Sequence, residues 1–245
     1  MNGFIIGIFI FILGLLIGSF LNVVIFRVPK NESIVFPASH CQSCKTPLKW
    51  YHNIPVFSWL FLKGQCAFCG EKISKQYPIV EILNAMIYLL LFYKLGLVWY
   101  LPFVMATFSA LLALVMIDFE YMAVPDSINF FALVTSLVQP NYIDAIIYAS
   151  IAAGGLWFIG FISSVIAKKQ AMGGADVIVA GTMGALLGFP NFFIAIFLSA
   201  ILAIIPSLIN RENGVPFVPF LAMATLIVYL YDKECLSIVE HIIYG

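Results

Sequence analysis

Charge is what this sequence has least of. Lys, Arg, Asp and Glu make up 10% of its 245 residues, where soluble domains carry roughly a quarter. An ordinary water-soluble globule is therefore excluded. The 12 basic and 12 acidic residues cancel, so a whole-molecule electrostatic attraction to nucleic acid has no support. Histidine is nearly missing. The three at 40, 52 and 241 form no His-Glu-x-x-His array, which sets aside an intramembrane zinc protease. No glycine-rich nucleotide loop on a strand–helix unit can be read. The first apolar run, "GFIIGIFIFILGLLIGSFLNVVIF", lacks a basic n-region and a small-residue cleavage site. The expectation is a retained transmembrane helix, not a signal peptide.

What remains is apolar. Hydrophobic residues make up 63% of the chain and the mean hydropathy is +1.06, the composition of a polytopic membrane protein. The fold class read from this is all-α, with about eight transmembrane or partly spanning helices. They are placed near 3–26, 79–93, 97–117, 127–139, 143–167, 176–188, 191–209 and 215–231. The fourth and sixth are near or below the roughly 17 residues needed to cross, and read as half-spans or cavity-lining helices. With eight spans, Arg27, Lys30, Lys45, Lys49, Lys63, Lys72, Lys75, Lys168, Lys169 and Arg211 all fall on one side, and only Lys94 and Lys233 on the other. The positive-inside rule then places 27–78 in the cytoplasm. Three regions result: a first transmembrane helix (1–26), a cytoplasmic cysteine-rich segment (27–78) and a helical membrane domain (79–245).

The cytoplasmic segment holds "CQSCKTPLKWYHNIPVFSWLFLKGQCAFCG", with Cys41 and Cys44 as one Cys-x-x-Cys pair and Cys66 and Cys69 as a second, 21 residues on. Four thiolates at that spacing suit tetrahedral zinc. Disulfides are the competing reading, opposed by a reducing compartment. Four sulfur ligands leave zinc no open position, so the ion would be a structural staple for a small insert. Lys45 and Gly70 follow the second cysteine of each pair, where a knuckle turn needs polar or glycine residues. His40 and His52 flank the site and read as surface residues. Cys235 receives no role.

Most of the acids fall in loops. Asp118 ends the third span and Asp176 begins the sixth, so two carboxylates 58 positions apart share the cytoplasmic end of their spans. Paired aspartates can share one proton and activate water, as aspartic proteases do. The same residues describe equally a cation transporter with aspartates as ion ligands. Read singly, Asp118 could be a loop residue at a helix end and Asp176 an N-cap after Gly173-Gly174. Glu120 and Asp126 share the loop of Asp118, and Asp126 after Pro125 reads as a turn or cap residue.

Six segments, in order, resemble the type IV prepilin leader peptidases, bacterial inner-membrane aspartic proteases. They are "GSFLNVVIFRVP" (18–29), the two cysteine pairs with "NIPVFSWLFLKGQC" (53–66), "YPIVE" (77–81), "IDFEYMAVPD" (117–126), "GGAD" (173–176) and "PFVP" (216–219). The resemblance implies that Asp118 and Asp176 are the catalytic pair. The implied reaction removes the basic leader of a prepilin or pseudopilin just after a glycine at the cytoplasmic face of the inner membrane, the substrate's helix staying in the lipid. It implies too that a chain with the cysteine island N-methylates the new terminal residue from S-adenosylmethionine. Glu81, at the lip of the second span, is a candidate for either activity, or a residue that caps or solvates its helix. Two departures stand out. Ala175 occupies the second glycine of Gly-x-Gly-Asp, and Ile178 the place of a frequent lysine. A positive φ at 175 would strain alanine.

Overall fold

A computed structural model describes residues 2–168, 173–209 and 215–244. Lys169 and Arg211, two of the basic residues used for the topology, lie outside the described residues. Among the described residues the regular elements are helices apart from two isolated β-bridges, and the chain divides into two compact units, 1–101 and 102–245. The sequence-drawn boundaries at 26/27 and 78/79 follow polarity, whereas these units follow packing.

In the first unit, α1 (Asn2–Arg27) pairs with α3 (Gln76–Leu95), and the insert between them contains 3-10 turns, the short α2 (Phe57–Phe61) and both β-bridges. Lipid is as apolar as leucine, so close backbone approach must hold this pair. Gly14 and Gly18 supply it. A Cβ on Gly14 would lie 2.5 Å from the Ala85 Cα, and one on Gly18 would lie 2.6 Å from the Glu81 Cα. Amide side chains stitch the same seam. Asn84 Nδ2 donates to the Gly14 carbonyl at 2.8 Å, and Asn22 Nδ2 donates to the Tyr77 carbonyl at 3.1 Å.

The second unit comprises α4 (Leu101–Tyr121), α5 (Asp126–Ser136), α6 (Tyr142–Ala167), α7 (Gly174–Leu187), α8 (Asn191–Ile209), α9 (Val218–Leu230) and α10 (Asp232–Tyr244). Burial sorts them into inner and outer helices. The most apolar stretch of α4 is 72% buried, whereas those of α6 and α8 are 22% and 17% buried, so their outer faces are left for lipid. In α7 every residue from Val179 to Leu186 is buried. Small residues bring α6 onto it. A Cβ on Gly184 would meet the Tyr148 carbonyl oxygen at 2.6 Å, beside a contact of Ala145 and Ala149 with Ala185. Hydroxyls and rings join the inner helices: Thr107 of α4 donates to Thr135 of α5 at 2.8 Å, and Phe108 of α4 meets Tyr229 of α9.

Among the described residues five helices (α1, α3, α4, α6 and α8) are long and apolar enough to cross a membrane, while α7 and α9 are apolar but shorter. The chain is thus a multi-pass membrane protein. The all-α class with full and partial spans stands, although the boundaries move. The third expected span, 97–117, begins at Leu101, because Leu97 to Tyr100 are apolar residues folded as a turn. Hydropathy cannot tell an apolar turn from an apolar helix. The sixth begins two residues early, and the eighth is cut to 13 residues. The sequence reading missed α10, whose polar face dilutes any hydropathy window.

Candidate aspartate site and cysteine cluster

Asp118 belongs to the last turn of α4, which runs three residues further to Tyr121. It is therefore a helix residue, not a loop residue, and it is 5% exposed. Its carboxylate accepts from the backbone N–H of Val218, at the start of α9. That N–H is free because the first amides of a helix have no partner within it. The structure therefore brings "IDFEYMAVPD" and "PFVP", about a hundred residues apart in the chain, into one contact.

Asp176 is not an N-cap. Gly173 caps α7 in an extended conformation, with φ −73° and ψ 144°, which makes Asp176 the third helical residue. Its carboxylate accepts from the Gly173 N–H, and its own N–H donates to the Gly173 carbonyl at 3.3 Å. This is the reach-back of an acidic side chain onto the cap residue, and it favours the negative charge at the helix start. Gly173 is exposed and Asp176 half-buried. The carboxylate is thus open toward the protein surface at the helix start.

The two aspartates lie close enough for the charge of Asp176 to act on Asp118. Among the described residues each holds a backbone N–H, which leaves further lone pairs for water or substrate. Ala175 is the second residue of α7 and is helical, so alanine brings no positive-φ strain. Its carbonyl accepts at 3.0 Å from the fully buried Asn129 Nδ2 of α5. Gln139, just beyond the other end of α5, donates to the Ala185 carbonyl at 2.7 Å. These amides hold α7 along its length. The sequence reading missed Asn129, since a polar residue inside an apolar run names no partner. Glu120 is exposed, and Asp126 opens α5 directly after its Pro125 cap.

In the 1–101 unit, Cys41, Cys44, Cys66 and Cys69 converge. Their four sulfurs lie within 4.8 Å of one another, with Cys41 and Cys69 at 3.8 Å. Zn–S bonds of 2.3 Å in a tetrahedron put sulfurs about 3.8 Å apart, so the cluster fits that ion. The two pairs share one backbone design. Cys41 N–H donates to the Thr46 carbonyl and Lys45 N–H to the Cys41 carbonyl, while Cys66 N–H donates to the Glu71 carbonyl and Gly70 N–H to the Cys66 carbonyl. Lys45 (φ 58°) and Gly70 (φ 72°) are both left-handed, the turn position expected of them. All five cysteines are free thiols.

Hydrogen bonds split the acidities of these thiols. The Thr46 hydroxyl and backbone N–H lower Cys44 to about 6. Backbone N–H groups of Cys69 and Phe68 lower Cys66. Cys69 accepts from the Glu71 backbone, yet burial and the neighbouring thiols push it up to about 12. His40 Nδ1 lies 3.0 Å from the Ala38 carbonyl oxygen, which accepts when that nitrogen carries the proton, and His52 packs edge-on against Tyr51 and Phe68. Neither joins the four-sulfur cluster. Glu81, buried in the α1–α3 seam, accepts from the Val56 N–H at 2.7 Å.

Residues 12–95 match the bacterial peptidase A24 N-terminal domain and residues 105–208 match the type IV leader peptidase family. A Dichelobacter nodosus protein named prepilin leader peptidase/N-methyltransferase is 30% identical over 262 residues, covering 92% of each chain. The chain belongs to the type IV leader peptidase family. Among further relatives, the type 4 prepilin-like proteins leader peptide-processing enzyme of Escherichia coli O78:H11 is 32% identical over 86% of this chain and 88% of its own. A Myxococcus xanthus prepilin leader peptidase/N-methyltransferase is 35% identical over 74% of this chain, which spans 56% of that longer protein. No solved structure matches. As a family member the chain is a membrane peptidase, and nothing in these likenesses supports an ion transporter. Asp118 and Asp176 both fall inside the peptidase match.

Proposed function

We propose that this leader peptidase removes the leader of a type IV prepilin or pseudopilin at the cytoplasmic face of the bacterial inner membrane, with Asp118 and Asp176 as its water-activating pair. The observation that carries the reading is the pair itself. Two carboxylates from distant helices interact by charge, each anchored by one backbone N–H. Neighbouring carboxylates cannot both ionise freely, so they share a proton and titrate as a unit. The ionised member takes a proton from water as it attacks the scissile carbonyl. The protonated member donates a hydrogen bond to the carbonyl oxygen, and a proton then passes to the leaving amine. Val218 N–H holds Asp118 and Asn129 holds the turn before Asp176, so neither carboxylate need reorient during the reaction.

The same chain N-methylates the new amino terminus, with the 12–95 region as the part that adds this activity to the peptidase. Two curated relatives carry both activities in their names, and the peptidase match ends outside that region. S-Adenosylmethionine supplies the methyl group when bound. Zinc, held by Cys41, Cys44, Cys66 and Cys69, staples an insert that has almost no apolar core of its own. The insert lies in the cytoplasm, on the side favoured by the basic residues.

Asp118→Asn and Asp176→Asn, assayed separately for leader cleavage in membranes, test the pair. Full cleavage by either variant would sink the assignment.

A further inference from the structure

Three sequence motifs that the aspartate chemistry does not use meet at one point of the 1–101 unit. Gly18, Ser19 and Asn22 come from α1, Tyr77 and Glu81 from α3, and Val56 from the insert. Glu81 is 6% exposed. Its carboxylate accepts from the Val56 N–H at 2.7 Å and from the Ser19 side chain. Gly18 lets α1 approach so closely that a Cβ there would stand 2.6 Å from the Glu81 Cα.

The Val56 end of this bond is strained. Val56 has φ 60° and ψ −52°, and the Phe57 N–H donates to the Pro55 carbonyl at 2.6 Å. That is the γ-turn with positive φ, which is rare, and a β-branched residue is among the worst suited to it. Such a conformation persists only where its surroundings hold it. A 2.7 Å hydrogen bond onto a buried carboxyl oxygen is such a holder.

The turn also starts a mechanical route to the metal cluster. Val56 is the cap of α2, and its carbonyl accepts from the Leu60 N–H at 3.0 Å. Trp59 of α2 donates its indole N–H to the Ile73 carbonyl at 3.2 Å and packs on Gly64, where a Cβ would lie 2.8 Å from its ring. Ile73 N–H in turn donates to the Gly64 carbonyl at 2.8 Å, closing the base of the Cys66–Cys69 knuckle.

We propose that Glu81 is a positioning residue. By holding Val56 in its strained turn, it fixes the cysteine-bearing insert on the α1–α3 pair in the orientation that amine methylation requires. This rests on the reading that the 12–95 region carries the methyl transfer. Glu81 is buried and bonded to the two groups it orients, so it acts through Val56 and not on the methyl donor.

The test uses the full-length protein in detergent or nanodiscs. It compares wild type, Glu81→Gln, Val56→Gly and the double variant, with hydrogen exchange of the 56–62 amides, prepilin cleavage and methylation measured on each. Glu81→Gln is expected to speed exchange by about tenfold or more, to lower methylation by a similar factor and to leave cleavage within about twofold. Glycine adopts positive φ without strain, so Val56→Gly in the Glu81→Gln background is expected to restore protection and methylation together. Unchanged exchange in Glu81→Gln overturns the latch. Faster exchange with full methylation overturns its role in methyl transfer. Restored exchange without restored methylation overturns the positioning role in favour of direct contact with a reactant. Cleavage falling in parallel with methylation overturns it as general misfolding. A wild-type protein that cleaves but transfers no methyl group overturns the functional reading alone, and the exchange arm still decides the latch.

Discussion

Glu81 in the 1–101 unit and the Asp118–Asp176 pair in the 102–245 unit are carboxylates withdrawn from bulk water to different degrees, and they are held differently. Glu81 meets a backbone N–H and a hydroxyl from two other elements, in a seam closed by Gly18. Among the described residues each aspartate meets one backbone N–H, and Asp118 also feels the charge of Asp176. A carboxylate matched to its donors fixes geometry. Two neighbouring carboxylates with few donors keep capacity for a proton and a water, as the proposed hydrolysis requires. Burial alone would have grouped Glu81 with Asp118 and left Asp176 out.

That contrast can be broken experimentally, and the aspartates carry the largest expected effect. Asp118→Asn or Asp176→Asn should lower leader cleavage by about a hundredfold to ten-thousandfold. Methylation of an already cleaved substrate should survive in both, because the second activity is assigned to the other unit. Loss of both activities would erase the distinction.

Next comes the cysteine cluster. Cys66→Ser should reduce bound zinc in reducing buffer to less than about a tenth of an equivalent, measured by metal analysis of the purified protein. Methylation should fall with it while cleavage persists. Wild-type protein purified without zinc under the same conditions would remove the metal from the account.

Packing comes third. Gly184→Leu drives a side chain into the Tyr148 carbonyl, where even a Cβ would stand at 2.6 Å. Overpacking of this kind costs about 1–3 kcal/mol, readable as a lower thermal midpoint in detergent. Because α7 carries Asp176, cleavage should drop with it, whereas zinc content should not change.

The smallest effect is expected at Asn129. Asn129→Ala removes the bond to the Ala175 carbonyl at 3.0 Å, worth about 1 kcal/mol. Cleavage should fall several-fold with methylation untouched. An Asn129→Ala enzyme that cleaves at the wild-type rate would mean that the remainder of α7 packing suffices to place Asp176.

Composition settled a good deal of this protein. A chain with 10% charged residues cannot fold around water-exposed faces, and in lipid its backbone must satisfy itself, so helices follow. The Cys-x-x-Cys spacing named the four sulfurs, because a two-residue spacer turns both toward one point whatever the fold around them. Asp118 and Asp176 were legible as charges at the ends of apolar runs. What the sequence could not give was partnership. The Val218 N–H that holds Asp118, the Asn129 amide behind Ala175 and the Glu81–Val56 bond all join residues 25 to 100 positions apart, and no local period encodes such contacts. The helix ends also belong to tertiary structure, since an apolar turn at Leu97–Tyr100 and an apolar helix have the same hydropathy. Ala175 shows the division most directly. Its identity as a departure from glycine was visible in the sequence, whereas its ease depends on a backbone that the fold has made helical, where alanine is the best residue of all.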